Sequence, residues 1–439
     1  MTIKKCITII CLAFLLGGCS CKHTIVIDEK IDPTCELPGM TEGQHCGDCG
    51  EVLVEQEVIE PLGHDTVIDE AVAPSCLKEG LTEGSHCSRC GKVFIKQETV
   101  PALGHNFQIN DEDCRCLNCN LVVPVYHVLN DVCLACRNDS YMNVLNYGVG
   151  TAEQSKPNKV TIEWPLNDNV DYLVELLCDK KQITKNIFGN SISFSNLFVD
   201  TFYTVNVYSA DELVYTTYFK TANDLVRTID VDGVVNFRDI GGKTNVDGKK
   251  IRQGMIYRSG AFNVSNTSIP TLLATEAGVN TLLNDLEIKT EIDLRKQGTH
   301  ENGGLTDSSL LGDSVKYYHF PISNGLDDNA LLRQIFHLFS DISNYPIDFH
   351  CVIGTDRTGF VGCILDCLLN LSKDDIYFDY LFSNLSDIKG SRAPTRKIPY
   401  VDLLNAPGNS IQEKTINHLL SVGVTIDEIE SILQILIEK

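Results

Sequence analysis

The sequence predicts a multidomain chain that joins small cysteine-rich repeats, a β-sandwich and a C-terminal α/β domain with a mostly parallel central sheet. A cysteine pattern recurs at a spacing of 41 residues in the first third of the chain. Strand-length runs with alternating apolar residues follow from residue 160. From about residue 223, short strands alternate with helical segments, as an α/β domain requires. A length of 439 residues agrees with several domains.

The overall charge limits the classes of partner. The net charge is -23, which argues against a nucleic-acid-binding surface. Any phosphate group must therefore be bound by local groups and not by the overall field.

Residues 1–19 are predicted to be a lipoprotein signal peptide. Lys4 and Lys5 precede an apolar run that is too short to span a bilayer. The run ends in LGGC, which resembles a bacterial lipobox and implies that Cys19 becomes the lipid-bearing first residue of an exported protein at the outer face of the cell membrane. An ordinary signal peptide of a secreted protein is the alternative.

Three cysteine-rich units follow, at residues 20–68, 69–109 and 110–140. The first two are copies of each other, and the third contains the pair CLNC and CLAC. The expected ligands are Cys35, Cys46, Cys49 and His64 in the first unit, Cys76, Cys87, Cys90 and His105 in the second, and Cys116, Cys119, Cys133 and Cys136 in the third.

Three cysteines and one histidine suit a closed tetrahedral zinc site, so we expect a structural zinc ion within each unit. The third unit has the spacing of a zinc ribbon. Disulfides remain the alternative for the first two units, because an exported protein meets oxidising conditions. His45 and His86 lie beside ligands, and we expect them at the surface.

Residues 157–222 are predicted to form the β-sandwich. Trp164 and the segment around Tyr203 resemble a fibronectin type III domain, with Tyr203 at the tyrosine-corner position. The resemblance implies that both side chains are core residues and that the module is a spacer or an adhesion domain.

Residues 223–439 contain the segment that indicates chemistry. An apolar strand ends at Phe349, a helix is predicted over 358–371, and a loop lies between them. Backbone N–H groups at a helix N-terminus bind anions, so the loop is a candidate phosphate cradle. The residues of this cradle are Val352, Ile353, Gly354, Thr355, Asp356 and Arg357.

The same position would lower the pKa of the Cys351 thiol and make it a nucleophile. Arg357 can donate two parallel hydrogen bonds to a phosphate, and Thr358 can donate its hydroxyl to the sulfur. His350 would brace the loop. The general acid is Asp356 in the loop, or Asp327 or Asp328 on a separate segment.

The loop HCVIGTDRTG, together with NFRDIGG at 236–242, YRSG at 257–260, DLR at 293–295 and DYLFSN at 379–384, resembles the bacterial protein tyrosine phosphatase family. That family's loop usually reads HCxxGKDRTG. The resemblance implies hydrolysis of phosphotyrosine in proteins, or of small phosphomonoesters, through a phosphocysteine and without a catalytic cofactor. It favours Asp356 as the acid and implies supporting roles for Asn236, Arg238, Asp239, Asp293 and Arg295.

Thr355 stands where the family usually has lysine, so activity on phosphoinositides is not expected. A second hypothesis remains open at this stage. In it the repeats and the sandwich bind a surface ligand, and the C-terminal domain is a weak enzyme or a phosphate binder.

Overall fold

The structure is a computed structural model that describes residue 22 and residues 24–109, 113–126, 155–223, 226–264, 272–296, 307–323, 328–386 and 399–438. The predicted site residues Cys19, Cys133, Cys136 and Asp327 lie outside the described residues. The chain divides into two compact units, one up to Phe107 with Cys116–Asn120 and one with the remaining residues. Within the described residues, none of the helices is both long and apolar enough to cross a bilayer.

The first unit repeats in structure as well as in sequence. In each repeat three strands form an antiparallel sheet and two short strands form a separate pair. The strands are β1 (Ile25–Asp28), β2 (Gly39–Met40), β3 (Gly43–Cys46), β4 (Val52–Val54) and β5 (Val58–Ile59), then β6 (Thr66–Asp69), β7 (Gly80–Leu81), β8 (Gly84–Cys87), β9 (Val93–Ile95) and β10 (Thr99–Val100).

These repeats have almost no apolar core. Among residues 24–106, the only buried side chains of hydrophobic type that the structure describes are the cysteines Cys35, Cys46, Cys76 and Cys87. Most aliphatic residues of the short strands are exposed, and Ile59 and Val100 are half-buried. The burial of apolar surface therefore contributes little to the stability of this unit.

A β-sheet region follows in the second unit. Antiparallel pairs join β15 to β16 and β18, β18 to β19, and β14 to β17, while β13 joins β19 in parallel. The strands are β11 (Phe107–Ile109), β12 (Asp113–Cys116), β13 (Val122–Tyr126), β14 (Val160–Glu163), β15 (Asp171–Leu177), β16 (Gln182–Phe188), β17 (Ser191–Phe194), β18 (Phe202–Ser209) and β19 (Glu212–Thr221).

Alternate residues of β15 and β18 are buried, as expected of strands with one face on a core. Trp164 and Tyr203 are both buried, as expected from the sequence, and the backbone N–H of Phe198 donates to the Tyr203 hydroxyl at 2.8 Å.

The C-terminal domain is built on a five-stranded sheet of order β20-β21-β26-β24-β25. Every neighbouring pair is parallel except β20 with β21, in agreement with the mostly parallel sheet predicted. The strands of this domain are β20 (Arg238–Asp239), β21 (Ile256–Gly260), β22 (Asn263–Val264), β23 (Leu272–Leu273), β24 (Thr290–Asp293), β25 (Lys316–His319) and β26 (Ile347–Cys351).

Helices cover this sheet. They are α1 (Glu276–Asn280), α2 (Asn329–Phe339), α3 (Asp356–Leu368), α4 (Lys373–Leu381), α5 (Pro399–Leu403), α6 (Ile411–Ser421) and α7 (Ile426–Leu436). Helix α3 is buried on nearly all its faces, because it packs between β26 and the helices α4, α5 and α6. The helix that follows the central strand is thereby fixed in place, and its N-terminus with it.

The β-sheet region and the α/β domain share buried polar contacts. Arg227 donates from Nε to the Leu197 carbonyl at 3.1 Å and from a terminal nitrogen to Asp239 at 2.7 Å. The Gln253 amide accepts from the Val199 N–H and donates to the Val199 carbonyl, both at 2.9 Å.

Candidate active site

The loop between β26 and α3 begins at Cys351, which is 2% exposed. Gly354 lies in this loop with φ +69°, and a Cβ there would stand 2.4 Å from the Ser259 carbonyl oxygen. Both the left-handed backbone and the close approach of β21 require glycine. The loop is therefore packed directly against the neighbouring strand.

The sulfur of Cys351 lies in an environment that favours the thiolate. Burial alone would raise the pKa of this thiol, but the positive charge of Arg357, the Thr358 hydroxyl and the backbone N–H groups of Thr358 and Gly354 outweigh burial and lower it. The structure thus brings together the predicted nucleophile, the predicted arginine and the predicted threonine.

Two side chains hold carbonyl groups of the loop. Asn236, which has φ +59°, donates from its amide to the Ile353 carbonyl at 3.1 Å. Arg258 donates to the Gly354 carbonyl at 3.0 Å. These two hydrogen bonds fix carbonyl groups of the loop, and the N–H groups of Gly354 and Thr358 hydrogen-bond to the Cys351 sulfur.

A buried network of charges supports those two side chains. Asp379 on α4 contacts Arg238 at 3.1 Å and Lys243 at 3.5 Å, and it also contacts Arg258. Burial would raise the pKa of Asp379, but Arg258, Lys243 and Arg238 outweigh it and hold that pKa well below its usual range. Arg238 in turn donates to the Asn236 side chain at 2.5 Å.

His350, which was expected to brace the loop, lies in strand β26. It is fully buried, with Nε2 2.9 Å from the Glu291 carboxylate. Burial would lower the pKa of His350, but Asp293 and Glu291 outweigh burial and raise it to about 9. The imidazolium is therefore the favoured form of His350 at neutral pH. On the same strand, burial raises the pKa of Asp348 to about 8.

Asp293 and Arg295 flank Leu294, whose carbonyl contacts the arginine of the loop. They form a buried ion pair, with Arg295 Nε 2.9 Å from Asp293. Burial would raise the pKa of Asp293, but His350 and Arg295 lower it to about 2. Between the two members of the pair, the Leu294 carbonyl accepts a hydrogen bond from Arg357 at 3.3 Å.

The candidate acids differ in their surroundings. Asp356 is half-buried in the first turn of α3 and accepts from the Tyr380 hydroxyl at 3.3 Å. Asp328 instead accepts from the Ser323 hydroxyl at 2.8 Å, just before α2.

Two other residues singled out from the sequence, Asp239 and Thr355, form hydrogen bonds within the protein. Asp239 accepts from Arg227 and from the N–H groups of Gly241 and Gly254, at 2.7 to 2.8 Å, and Arg227 also donates to the Leu197 carbonyl of the β-sheet region. Thr355 is fully buried, and its hydroxyl donates to the Ile353 carbonyl at 3.3 Å.

Several supporting residues were not singled out from the sequence. Arg258, Lys243, Glu291, Asp366 and Asp379 are all buried. The available signal was a charged residue inside an otherwise apolar run, such as the aspartate in GFVGCILDCLLNL. Such residues are rarely buried without a partner.

The cysteine and histidine ligands are grouped differently from the expectation of one site within each repeat. One cluster joins Cys35 and His64 of the first repeat to Cys87 and Cys90 of the second. The other joins Cys76 and His105 to Cys116 and Cys119. Among the described residues, Cys46 and Cys49 belong to neither cluster. His45 and His86 are half-buried and contact Asp28 and Asp69 at 2.9 Å.

The C-terminal domain is similar in sequence to phosphatases. The Tyrosine phosphatase family matches residues 229–423. A Cupriavidus necator protein provisionally named a tyrosine-protein phosphatase is 25% identical over 182 residues, which are 35% of this chain and 62% of that protein. The chain thus spans about three fifths of that relative's length.

Solved structures similar to the chain include the protein TpbA and a PP-IP phosphatase. Pseudomonas aeruginosa TpbA is 18% identical, with 38% of this chain and 86% of that chain covered and a TM-score of 0.26. The catalytic core of the PP-IP phosphatase SIW14 from Saccharomyces cerevisiae, in complex with citrate, is 19% identical, with 33% and 78% covered and a TM-score of 0.21.

Proposed function

We propose that the C-terminal domain hydrolyses phosphomonoesters, with phosphotyrosine in proteins as its preferred substrate, through a phosphocysteine on Cys351. The observation that carries the proposal is the lowered pKa of this buried thiol beside Arg357. A lowered pKa increases the fraction of the thiol that is present as the nucleophilic thiolate, whereas an ordinary buried cysteine is inert.

In the first step the Cys351 sulfur attacks phosphorus, and the S–P bond forms as the ester P–O bond breaks. Arg357 and the loop N–H groups bind the non-bridging oxygens of the phosphoryl group. Asp356 gives its proton to the departing oxygen, which leaves as the alcohol or phenol. Asp356 is favoured for this role because it lies in the first turn of α3, directly after the loop, whereas Asp328 lies at the start of α2.

In the second step water attacks phosphorus and gives a proton to the Asp356 carboxylate. The S–P bond breaks, and inorganic phosphate is released. Thr358 contributes here, because its hydroxyl lowers the pKa of the Cys351 thiol and so makes the thiolate a better leaving group.

Two observations support the aryl substrate. The attacking sulfur is almost fully buried, so a phosphate carried on a long side chain reaches it more easily than one carried on serine. Thr355, buried in the loop, supplies no positive charge for the further phosphates of an inositol headgroup. The matched family points the same way.

The test compares turnover of p-nitrophenyl phosphate by Cys351→Ser, Arg357→Ala and the control Cys178→Ser. Cys178 is a half-buried cysteine of the sandwich. We expect a loss of at least about a thousandfold for the first two variants and none for the control. Near-normal turnover by Cys351→Ser would refute the mechanism. Parallel assays on phosphotyrosine, phosphoserine and phosphoinositide substrates test the preference.

Location and the middle module are further parts of the proposal. LGGC supports a lipid anchor on Cys19, which a Cys19→Ala variant tests by moving the protein out of the membrane fraction. The hydrogen bond from the Phe198 N–H to the buried Tyr203 hydroxyl supports a fibronectin type III-like sandwich.

A further inference from the structure

The two cysteine–histidine clusters of the first unit each combine ligands from consecutive cysteine-rich units. In both, a cysteine and a histidine of one repeat meet the CxxC pair of the unit that follows. The four ligand atoms of each cluster lie within 4.8 Å of one another. We propose that each cluster binds one zinc ion, and that the ions, not an apolar core, hold successive repeats together.

The distances within each cluster are those of ligands around one tetrahedral ion. With Zn–S near 2.3 Å and Zn–N near 2.05 Å, a regular tetrahedron places two sulfurs about 3.8 Å apart and a sulfur and a nitrogen about 3.6 Å apart. The Cys35–Cys87 and Cys76–Cys116 sulfur pairs are each 3.7 Å apart. The sulfurs of Cys90 and Cys119 lie 3.5 Å from Nδ1 of His64 and His105, respectively. A disulfide would need about 2.05 Å.

The CxxC turns have one geometry. The N–H of Gly91 donates to the Cys87 carbonyl at 2.8 Å, and the N–H of Asn120 donates to the Cys116 carbonyl at the same distance. Both Gly91 and Asn120 have positive φ, +73° and +60°, which glycine and asparagine tolerate. The third unit therefore supplies its ligands as the second does.

The surroundings of the first cluster fit a bound cation with thiolate ligands. The His64 ring binds through Nδ1, and its Nε2 lies 3.2 Å from the Glu36 carboxylate, the usual outer partner of a metal-bound histidine. Lys92 of the second repeat contacts Glu36 of the first, and Arg89 donates to the Leu62 carbonyl at 2.8 Å. These contacts also cross from one repeat to the next.

The small apolar core of the repeats also favours a stabilising role for the zinc ions. Because the described part of the repeats buries cysteines and almost no aliphatic side chains, another source of stability is needed. Binding of a structural zinc ion supplies folding free energy directly. Four protein ligands complete the coordination shell and leave no position for catalysis.

The experiment distinguishes sites shared between repeats from sites within one repeat. Zinc is counted per chain in the full-length protein, purified under reducing conditions and dialysed against a chelator of moderate strength. If the sites are shared, Cys35→Ser with Cys87→Ser removes two ligands of one site and one zinc ion is lost. Cys76→Ser with Cys87→Ser then damages both sites, and two ions are lost.

If each site lies within a single repeat, Cys35→Ser with Cys87→Ser loses two zinc ions and Cys76→Ser with Cys87→Ser loses one. That result would overturn the proposal. A wild-type chain without zinc, with Cys35 and Cys87 joined in a disulfide on peptide mapping, would also overturn it. Fluorescence of Trp164, the only tryptophan and a buried residue of the sandwich, checks that the second unit stays folded in each variant.

Discussion

Replacement of Asp379 by asparagine tests whether the buried ion network holds the anion loop in place. The carboxylate is 1% exposed and contacts three cations, Arg238, Arg258 and Lys243. Asparagine keeps the shape of the side chain but removes its charge. Removal of one partner from a buried ion pair costs about 3–5 kcal/mol, because the remaining charge stays buried without compensation.

For a domain of this size, each kcal/mol lowers the melting temperature by about 2–4 °C, so we expect a fall of about 10 °C. Activity should fall as well, because Arg258 also holds the Gly354 carbonyl. A displaced loop should lower kcat/KM between about tenfold and about a hundredfold. Calorimetry and p-nitrophenyl phosphate kinetics at pH 7 measure both effects.

The matched control is Asp374→Asn, an exposed aspartate in the first turn of the same helix. Its loss should cost only about 0.3–1 kcal/mol. Because the pKa of Asp379 is lowered, its contribution is complete above its ordinary pKa of about 4 and is lost only as the pH falls below that value. A variant at position 379 as stable as the control at pH 7 would refute the reasoning.

Three more predictions follow from the loop and its strand. Gly354→Ala should cost several-fold more activity than Gly248→Ala, because both glycines have positive φ but only the first would bring a Cβ against backbone; equal kinetics of the two variants would contradict this. Arg357→Ala should raise the pKa of Cys351, so the pH profile of its alkylation by iodoacetamide should move to higher pH; an unchanged profile would exclude the proposed role of the guanidinium. The pKa of His350 is about 9 in the folded chain and about 6.5 in the unfolded chain, so the stability that its charge contributes is complete below pH 6.5 and is lost as the pH rises through 9. Chemical denaturation should therefore show that the free energy of unfolding declines less steeply over that range for His350→Asn than for the wild type. An equally steep decline would argue against a charged imidazole.

The nucleophile loop was predictable from the sequence because its determinants are local. A strand ending near residue 349, a glycine and a following helix are all readable along the chain. The structure differs in detail, since α3 begins at Asp356 and not at Thr358, which places that aspartate in the first helical turn. The helix ends at Leu368, before Asn370 with φ +61°.

Pairings between distant segments were not predictable. Arg258 and Asp379 are 121 residues apart in the sequence and form their ion pair only in the folded chain. The ligand grouping in the repeats was missed for another reason. A period of 41 residues is equally compatible with clusters within one copy and between neighbouring copies, and only the folded chain distinguishes them.

The buried contacts of Arg227 and Gln253 have a consequence for anyone who wishes to isolate catalysis. In a chain that begins at residue 223, Arg227 would lose two carbonyl acceptors, at Asn196 and Leu197. Gln253 would lose both of its hydrogen bonds to the Val199 backbone and become exposed. Such a fragment should be prone to aggregation, and its measured activity should be lower than that of the full chain. A fragment that starts at residue 155 keeps these hydrogen bonds. We therefore expect the middle module to be a permanent structural support of the C-terminal domain and not a detachable spacer.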